Sequence, residues 1–342
     1  MENDVGKICA IVVTHNRKEL LIKCLEALSS QGTVLAGIYV VDNDSTDGTA
    51  EALKGKGYIS DVPGAEQGPV EVKSPVNMSF GGEGGSQATV HYVRMPENAG
   101  GAGGFREGME RAFAEGYDWL WLMDDDVIVR PDTLGELLTA REILRREGKK
   151  PGFLSSKVVN RKDMIDNAPS IQWYGRENTM TQWAELLEHG LAGVENCSFA
   201  SFLVQRDIVA DVGYPLKELF IWSDDVEYTL RISAKYPCYM AGRSIVRHER
   251  NIAGTLSILR EEDPGRIRLY YYYYRNRLWV LRKYSPYRFV LNEQLSLVID
   301  IFRILFGDYR HKALRAGTLI RSLFAGTFSR GLTPLLDGKD KA

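Results

Sequence analysis

With 342 residues and 43 Lys plus Arg against 45 Asp plus Glu, a formal net charge of -2, the chain is long enough for one large domain or two smaller ones and too neutral for a general nucleic-acid binder. Four cysteines, Cys9, Cys24, Cys197 and Cys238, stand without the close spacing of a metal site, which fits a reduced, cytoplasmic protein. No uncharged stretch reaches the roughly 18 to 20 residues that span a bilayer, and the lead from Met1 to Lys7 carries no secretory signal, so a transmembrane chain is not expected.

In chain order, Ile8 to Val13 is an apolar run suited to a buried parallel strand. Lys18 to Leu28 has helical periodicity, with Leu21, Leu25 and Leu28 on one face, and Gly37 to Val41 reads as a second strand. That strand runs into Asp42-Asn43-Asp44-Ser45-Thr46-Asp47-Gly48, a polar loop in which Ser45 or Asp47 is placed to cap a helix at Ala50. Strand, helix, strand opens a nucleotide-binding α/β unit, whose ligands collect at the carboxyl ends of parallel strands. Thr14-His15-Asn16-Arg17 and Asp42-Asn43 lie at two such ends.

Residues 55–90 are rich in Gly, Pro and Ser and read as a variable insertion, a partly ordered hairpin. A third strand is expected over Val90 to Met95, followed by Asn98-Ala99-Gly100-Gly101-Ala102-Gly103-Gly104-Phe105-Arg106 and a helix through Met109, Ala112 and Phe113. Glycines let backbone approach a ligand closely, and a helix N-terminus suits phosphate oxygens. Such a loop is a weak signal by itself, since no Walker Lys-Ser/Thr follows it. It gains weight because the helix leads straight to the next feature.

The run Trp119-Leu120-Trp121-Leu122-Met123 ends in Asp124-Asp125-Asp126. Three neighbouring like charges cost energy unless a cation sits among them. In an extended segment Asp124 and Asp126 point one way and Asp125 the other, so the outer pair offers hard oxygen ligands to a divalent cation. The bland alternative is a charged turn after a strand.

Between here and the next acids, Trp173-Tyr174 and Asn196 to Phe202 are placed to shape an acceptor site, although core packing suits Phe199 and Phe202 better. Then comes Phe220-Ile221-Trp222-Ser223-Asp224-Asp225-Val226-Glu227. Acids crowding a helix start are favoured by its dipole, which is the structural account; the functional one makes a carboxylate here a general base toward an acceptor hydroxyl. His248, after a strand-like stretch from Ser244, is placed to be a third cation ligand.

From Arg268 to Arg330 basic residues outnumber Glu293, Asp300 and Asp308. Apolar residues recur at helical spacing from Leu291 to Phe306, and Arg310, Lys312, Arg315 and Arg321 follow among Leu314, Leu319, Ile320, Leu323 and Phe324. Two readings stand side by side: a basic amphipathic surface for anionic lipid, or a helical tail packed on its own domain or on a sister subunit of a homo-oligomer. The Tyr270 to Tyr274 run belongs either to that surface or to helix packing.

Taken together, Thr14 to Arg17, Val41 to Gly48, the Asn98 to Phe105 loop, Met123 to Val127, Asp224-Asp225 and His248 resemble the inverting nucleotide-sugar glycosyltransferases of the GT-A fold. The glycine-rich loop, the triple Asp and Trp222 to Arg231 most resemble bacterial galactofuranosyltransferases. The resemblance implies an α/β fold, a Rossmann-like mixed sheet flanked by helices over residues 1–260, with a basic amphipathic helical extension over residues 261–342. It implies a UDP-sugar donor, UDP-galactofuranose, and a glycan or lipid-linked glycan acceptor at the inner face of the plasma membrane.

By the same resemblance Asp42 would bind the uracil, with Thr14 and Asn43 flanking the nucleoside, and Arg17, Gly100, Gly101, Gly103 and Gly104 would lie near ribose and diphosphate. Asp124, Asp126 and His248 would hold Mn²⁺ or Mg²⁺, and Asp125 would touch the donor sugar or ribose. Asp225 would be the base with Asp224 in support, and Trp173 and Trp222 would meet sugar. Alternatives are a rhamnosyltransferase using dTDP-rhamnose and a non-catalytic nucleotide or carbohydrate binder; a nucleotidyltransferase should show an early basic triphosphate signature, which is not found.

Overall fold

The computed structural model describes residues 5–33, 35–64, 67–78, 86–171, 179–249 and 256–328. The chain opens with β1 (Ile8–Thr14), α1 (Lys18–Ser29), β2 (Gly37–Asp42) and α2 (Thr49–Gly55), then a hairpin of β3 (Val70–Met78) and β4 (Ser86–Arg94). Next come α3 (Gly100–Glu115), β5 (Trp119–Asp124), β6 (Val127–Val129), α4 (Thr133–Arg146), β7 (Leu154–Val159), β8 (Ser170–Ile171) and α5 (Thr179–Glu188). After β9 (Leu191–Asn196), β10 (Phe202–Gln205), α6 (Arg206–Val212), α7 (Asp224–Ser233) and β11 (Tyr239–His248), three helices close the chain: α8 (Pro264–Tyr284), α9 (Tyr287–Phe306) and α10 (Lys312–Phe328).

The strands form one mixed sheet in the order β3-β4-β2-β1-β5-β10-β7-β11-β9-β8, with β6 against β11. β4, β2, β1 and β5 are mutually parallel, and β10 and β3 join antiparallel. All seven residues of β1 are buried, as a central parallel strand covered on both faces requires. Its alternation sorts two cores. Ile8, Ala10 and Val12 pack with Leu21, Cys24, Leu25 and Leu28 of α1, whereas Cys9, Ile11 and Val13 pack with Phe105, Met109 and Ala112 of α3. The three α1 leucines are fully buried, each contributing about 2 kcal/mol by removal from water.

The Gly- and Pro-rich segment thus contributes to a regular hairpin of two nine-residue strands, and its second strand begins at Ser86 rather than Val90. The N-cap of α2 is Gly48 in a left-handed conformation, and Asp47 reaches the first residue of that helix, accepting from the Thr49 hydroxyl at 2.5 Å. Ser45 and Asp47 also serve the opposite loop. Ser45 Oγ accepts the Asn16 N–H at 2.9 Å and Asp47 Oδ2 accepts the Lys18 N–H at 3.1 Å, so the loop after β2 secures the start of α1. Phe199 and Phe202 are core residues, and all four cysteines are buried thiols.

Among the described residues no helix is long and apolar enough to cross a membrane. The last three helices bury a core of their own around Ile267, Tyr270, Tyr274, Leu278, Leu297, Ile304 and Leu319. Trp279 and Val280 of α8 also pack with Ala102, Leu216 and Leu219, which docks this unit beside the start of α3.

Candidate active site

β1 is followed by β2 on one side of it and, after β4, by β5 on the other, so the strand order reverses between β1 and β5. A crevice opens at the carboxyl ends where such a reversal occurs. Register places Thr14 beside Asp42 and Val13 beside Asp124 along that edge. His248 reaches the same place from the far end of the chain because β11 pairs antiparallel with β6, setting His248 against Val127, next to Asp126.

As a result Asp124, Asp126 and His248 each offer a ligand atom within 4.8 Å of the others, the three sequence positions expected to hold a cation. Strand alternation is not what separates them from Asp125. The chain turns at residues 125–126 between β5 and β6, and that turn carries the Asp125 carboxylate away, toward Thr14 and Arg17. Thr14 Oγ1 donates to Asp125 Oδ2 at 2.7 Å, and one Arg17 nitrogen reaches Asp125 Oδ1 at 3.2 Å and Asp126 Oδ2 at 3.0 Å. His248 Nε2 lies 3.0 Å from Asp126 Oδ1, while its Nδ1 faces Asp166 Oδ2 at 3.5 Å. Asp166 was not singled out in the sequence, yet a carboxylate behind an imidazole is the arrangement that orients a ligating ring.

Electrostatics mark the same spot. Burial and the neighbouring Asp126 push the Asp124 carboxyl up to about 7, and burial raises Asp125 to about 6 against the pull of Arg17. Asp126 is held low because hydrogen bonding and charge from His248, with Arg17, outweigh its burial. Two carboxylate oxygens and an imidazole nitrogen, converging where negative charge is under-compensated, fit a divalent cation.

The second acidic pair begins α7. Asp224 is buried and Asp225 half-buried. Burial, then Asp225, drives Asp224 well above the usual carboxylate range, and the charge of Asp124 adds to the rise. The two acidic clusters, a hundred residues apart in sequence, are thus near enough for one charge to bear on the other. Asp225 is pushed up to about 6 by burial, offset by the Val226 N–H that its Oδ1 accepts at 2.7 Å. Glu227 does none of this: fully buried, it pairs with Arg231 at 2.7 Å and Lys283 at 3.1 Å and accepts from Tyr284 at 2.7 Å, tying α7 to α8.

Close packing shapes the glycine loop. A Cβ on Gly100 would lie 2.1 Å from the Phe220 carbonyl oxygen, one on Gly104 2.6 Å from Val13, and one on Gly103 2.5 Å from Ala99 Cβ. The Gly100 N–H is taken by Asn98 Oδ1 at 2.9 Å and the Ala102 N–H by Phe220 O at 3.1 Å. These glycines let α3 press onto β1 and the 220 segment. Gly101 faces the second acid pair, since its Cβ would come 3.9 Å from Asp224 Oδ2.

Asp42 is buried with both oxygens engaged, one by the Tyr92 hydroxyl at 2.5 Å and one by the Ser45 N–H at 2.8 Å. Asn43 donates to Gly100 O at 2.9 Å, linking β2 to α3. Trp222 lies half-buried against Tyr270 and Tyr273, at 5.4 and 5.8 Å between ring centroids. Trp173 falls outside the described residues.

The sequence profile of Glycosyl transferase family 2 matches residues 9–58 and 86–195. A galactofuranosyltransferase, GlfT1, of Mycolicibacterium smegmatis is 30% identical over 234 residues, 66% of this chain and 65% of the relative, so the match spans just under two thirds of that protein's length. GlfT1 of Mycobacterium tuberculosis is 28% identical over 288 residues, covering 80% of this chain and 82% of the relative. In fold, the crystal structure of GalNAc-T7 with UDP, GalNAc and Mn²⁺ aligns with a TM-score of 0.51 at 12% identity, covering 81% of this chain and 51% of that one. The helix-flanked mixed sheet is thus that of the GT-A enzymes.

Proposed function

This chain belongs to glycosyl transferase family 2, and from that premise we propose that it transfers galactofuranose from UDP-galactofuranose, with inversion, to a hydroxyl of a glycan or lipid-linked glycan. The observation that carries the proposal is the convergence of Asp124, Asp126 and His248 within 4.8 Å of one another, with the Asp224–Asp225 pair at the start of α7 near enough for the Asp124 charge to bear on Asp224. The donor sugar is taken from the two GlfT1 relatives, whose names state galactofuranosyl transfer.

Asp124, Asp126 and His248 would hold Mn²⁺ or Mg²⁺. When bound, that ion supplies Lewis-acid charge to the diphosphate as it leaves. Asp166 keeps the His248 ring in one orientation, and Arg17 adds a fixed positive charge at the mouth of the cluster, its side chain half exposed. Asp125, held by Thr14, faces the donor side. On the other side Asp225 accepts the proton of the attacking hydroxyl. Its carboxyl, raised to about 6, is ionised near neutrality yet basic enough to take a proton in the transition state. Asp224, pushed well above the usual carboxylate range by burial and by Asp225, supports it as a contact to donor or acceptor. One base on one face of the anomeric carbon gives single displacement and inversion.

The test offers UDP-galactofuranose and dTDP-rhamnose separately with Mn²⁺ and a glycan acceptor, following UDP or dTDP release. Release only from the galactofuranose donor, dependent on acceptor, is expected. Release only from the rhamnose donor moves the assignment to that sugar, and binding without release makes the protein a nucleotide-sugar binder.

The acceptor's lipid-linked form has support of its own. On α9, Leu291, Leu295, Val298, Phe302 and Phe306 form one outward apolar stripe, while Val290, Leu297 and Ile304 face inward. Its acids, Glu293 and Asp300, are paired with Arg277 and Arg303 at 2.9 and 3.1 Å. Exposed Arg288, Arg303, Arg310, Lys312 and Arg321 flank the stripe. An apolar ridge with a basic border suits an anionic bilayer surface. Co-flotation with phosphatidylglycerol vesicles, reduced by Leu295→Glu and Phe302→Glu, is expected; flotation unchanged by these substitutions, or a dimer broken by them, would point to a protein contact instead.

A further inference from the structure

The segment that delivers Asp224 and Asp225 is bent against its own preferences. Phe220, Trp222 and Ser223 have φ of 64°, 62° and 66°, a left-handed region that residues with side chains adopt only where the surroundings over-determine it. No glycine relieves the strain within the segment. What holds it comes from outside, more than fifty residues later. The side-chain amide of Asn276, fully buried on α8, donates to the carbonyls of Leu219 at 2.8 Å, Ile221 at 3.1 Å and Trp222 at 2.8 Å. Arg275 adds a bond to Glu218 O at 2.7 Å. From the opposite side the Ala102 N–H grips Phe220 O at 3.1 Å in the space that Gly100 leaves free.

Carboxamide nitrogen is suited to this work, since its two protons can be shared among three carbonyl oxygens. A buried donor that reaches three carbonyls within one strained loop fixes the φ/ψ of that loop more tightly than apolar packing does, because each bond is directional. The next residue after the clamped stretch is Asp224, followed by Asp225.

We infer that Asn276 is a positioning residue for transfer: it holds the left-handed 219–223 segment so that Asp225 meets the acceptor hydroxyl. The helical C-terminal unit is then part of the catalytic apparatus rather than an appendage. The inference rests on the reading of Asp225 as the base.

The test compares Asn276→Ala and Asn276→Ser with Arg282→Ala, a control that removes an α8 to α10 bond, Arg282 Nη1 to Gly326 O at 2.9 Å, without touching the segment. For Asn276→Ala, kcat falls about 100-fold, the effect of misplacing a reacting group by about 1 Å. UDP affinity in the presence of Mn²⁺ stays within about twofold, because the cation ligands sit on β5 and β11 and its turn, and the serine variant, keeping one donor, loses less. Arg282→Ala lowers Tm while kcat holds. A folded Asn276→Ala with kcat near the wild-type value overturns the inference, as does a kcat that tracks Tm equally in all three variants. Should the alanine variant not fold, the serine variant decides by the same split between kcat and UDP affinity. If Asp225→Asn is itself active, the base assignment fails; if it is inactive while the Asn276 variants are normal, only the present inference does.

Discussion

The two acidic clusters are built by opposite means. Asp124, Asp126 and His248 stand on or beside regular strands, placed by ladder register between β1, β5, β6 and β11. Asp224 and Asp225 follow a stretch of left-handed backbone that depends on α8 to hold it. A binding cluster on strands is rigid by construction. A carboxylate on a helix start can be retuned through residues far from it, so, as halves of the proposed site, the two clusters should fail in different ways.

The largest expected difference is chemical. Asp225→Asn should lower transfer by about 1,000-fold, the range of general-base catalysis, while UDP affinity with Mn²⁺ stays within about twofold by calorimetry. Asp126→Ala should do the reverse in order: Mn²⁺-dependent UDP binding weakens by about 100-fold, and turnover falls with it. If both variants lost UDP binding equally, the division of labour would be wrong.

Stability separates the clusters next. Glu227→Gln removes one partner from a fully buried network that joins α7 to α8, and should cost about 3 kcal/mol in urea unfolding. Arg231, Lys283 and Tyr284 hold the Glu227 carboxyl below its usual range despite burial. Because the folded-state value is lowered, this contribution is present above the ordinary carboxylate range and lost as the pH falls through the lowered value. The smallest effect is on pH dependence. A base must be ionised, and the Asp225 carboxyl raised to about 6 places the acid limb of kcat near pH 6, with rate falling below it. An acid limb near pH 4 would mean that Asp225 is not the group titrating.

How much of this was legible in the sequence follows the same division. The apolar runs gave β1, β2 and β5 to within a residue, and three adjacent acids after five buried residues marked the candidate cation cluster, because charge repulsion and strand ends are both local facts. His248, at a strand end, joins the same candidate cluster. Asp166 was not, since its closeness to His248 arises only when β11 folds back, and nothing near it in the chain marks it. The packing role of the glycine loop was not legible, because small residues serve close packing and anion binding alike, and only the fold brings Phe220 and Val13 against Gly100 and Gly104. Ser45 and Asp47 bear capping chemistry, but both also secure α1, a helix that precedes them in sequence. Asn276 lies in a Tyr- and Arg-rich helix where one Asn reads as surface polarity, although it is fully buried.

The central claim, that one pocket is shared by a cation-binding and a proton-accepting cluster, is tested most directly by a crystal structure of the protein with UDP and Mn²⁺. The account predicts the ion on Asp124, Asp126 and His248, with the diphosphate lying between it and the Asp224–Asp225 pair. An ion held elsewhere, or a UDP whose diphosphate points away from α7 with the two acidic clusters opening to separate solvent regions, would contradict it.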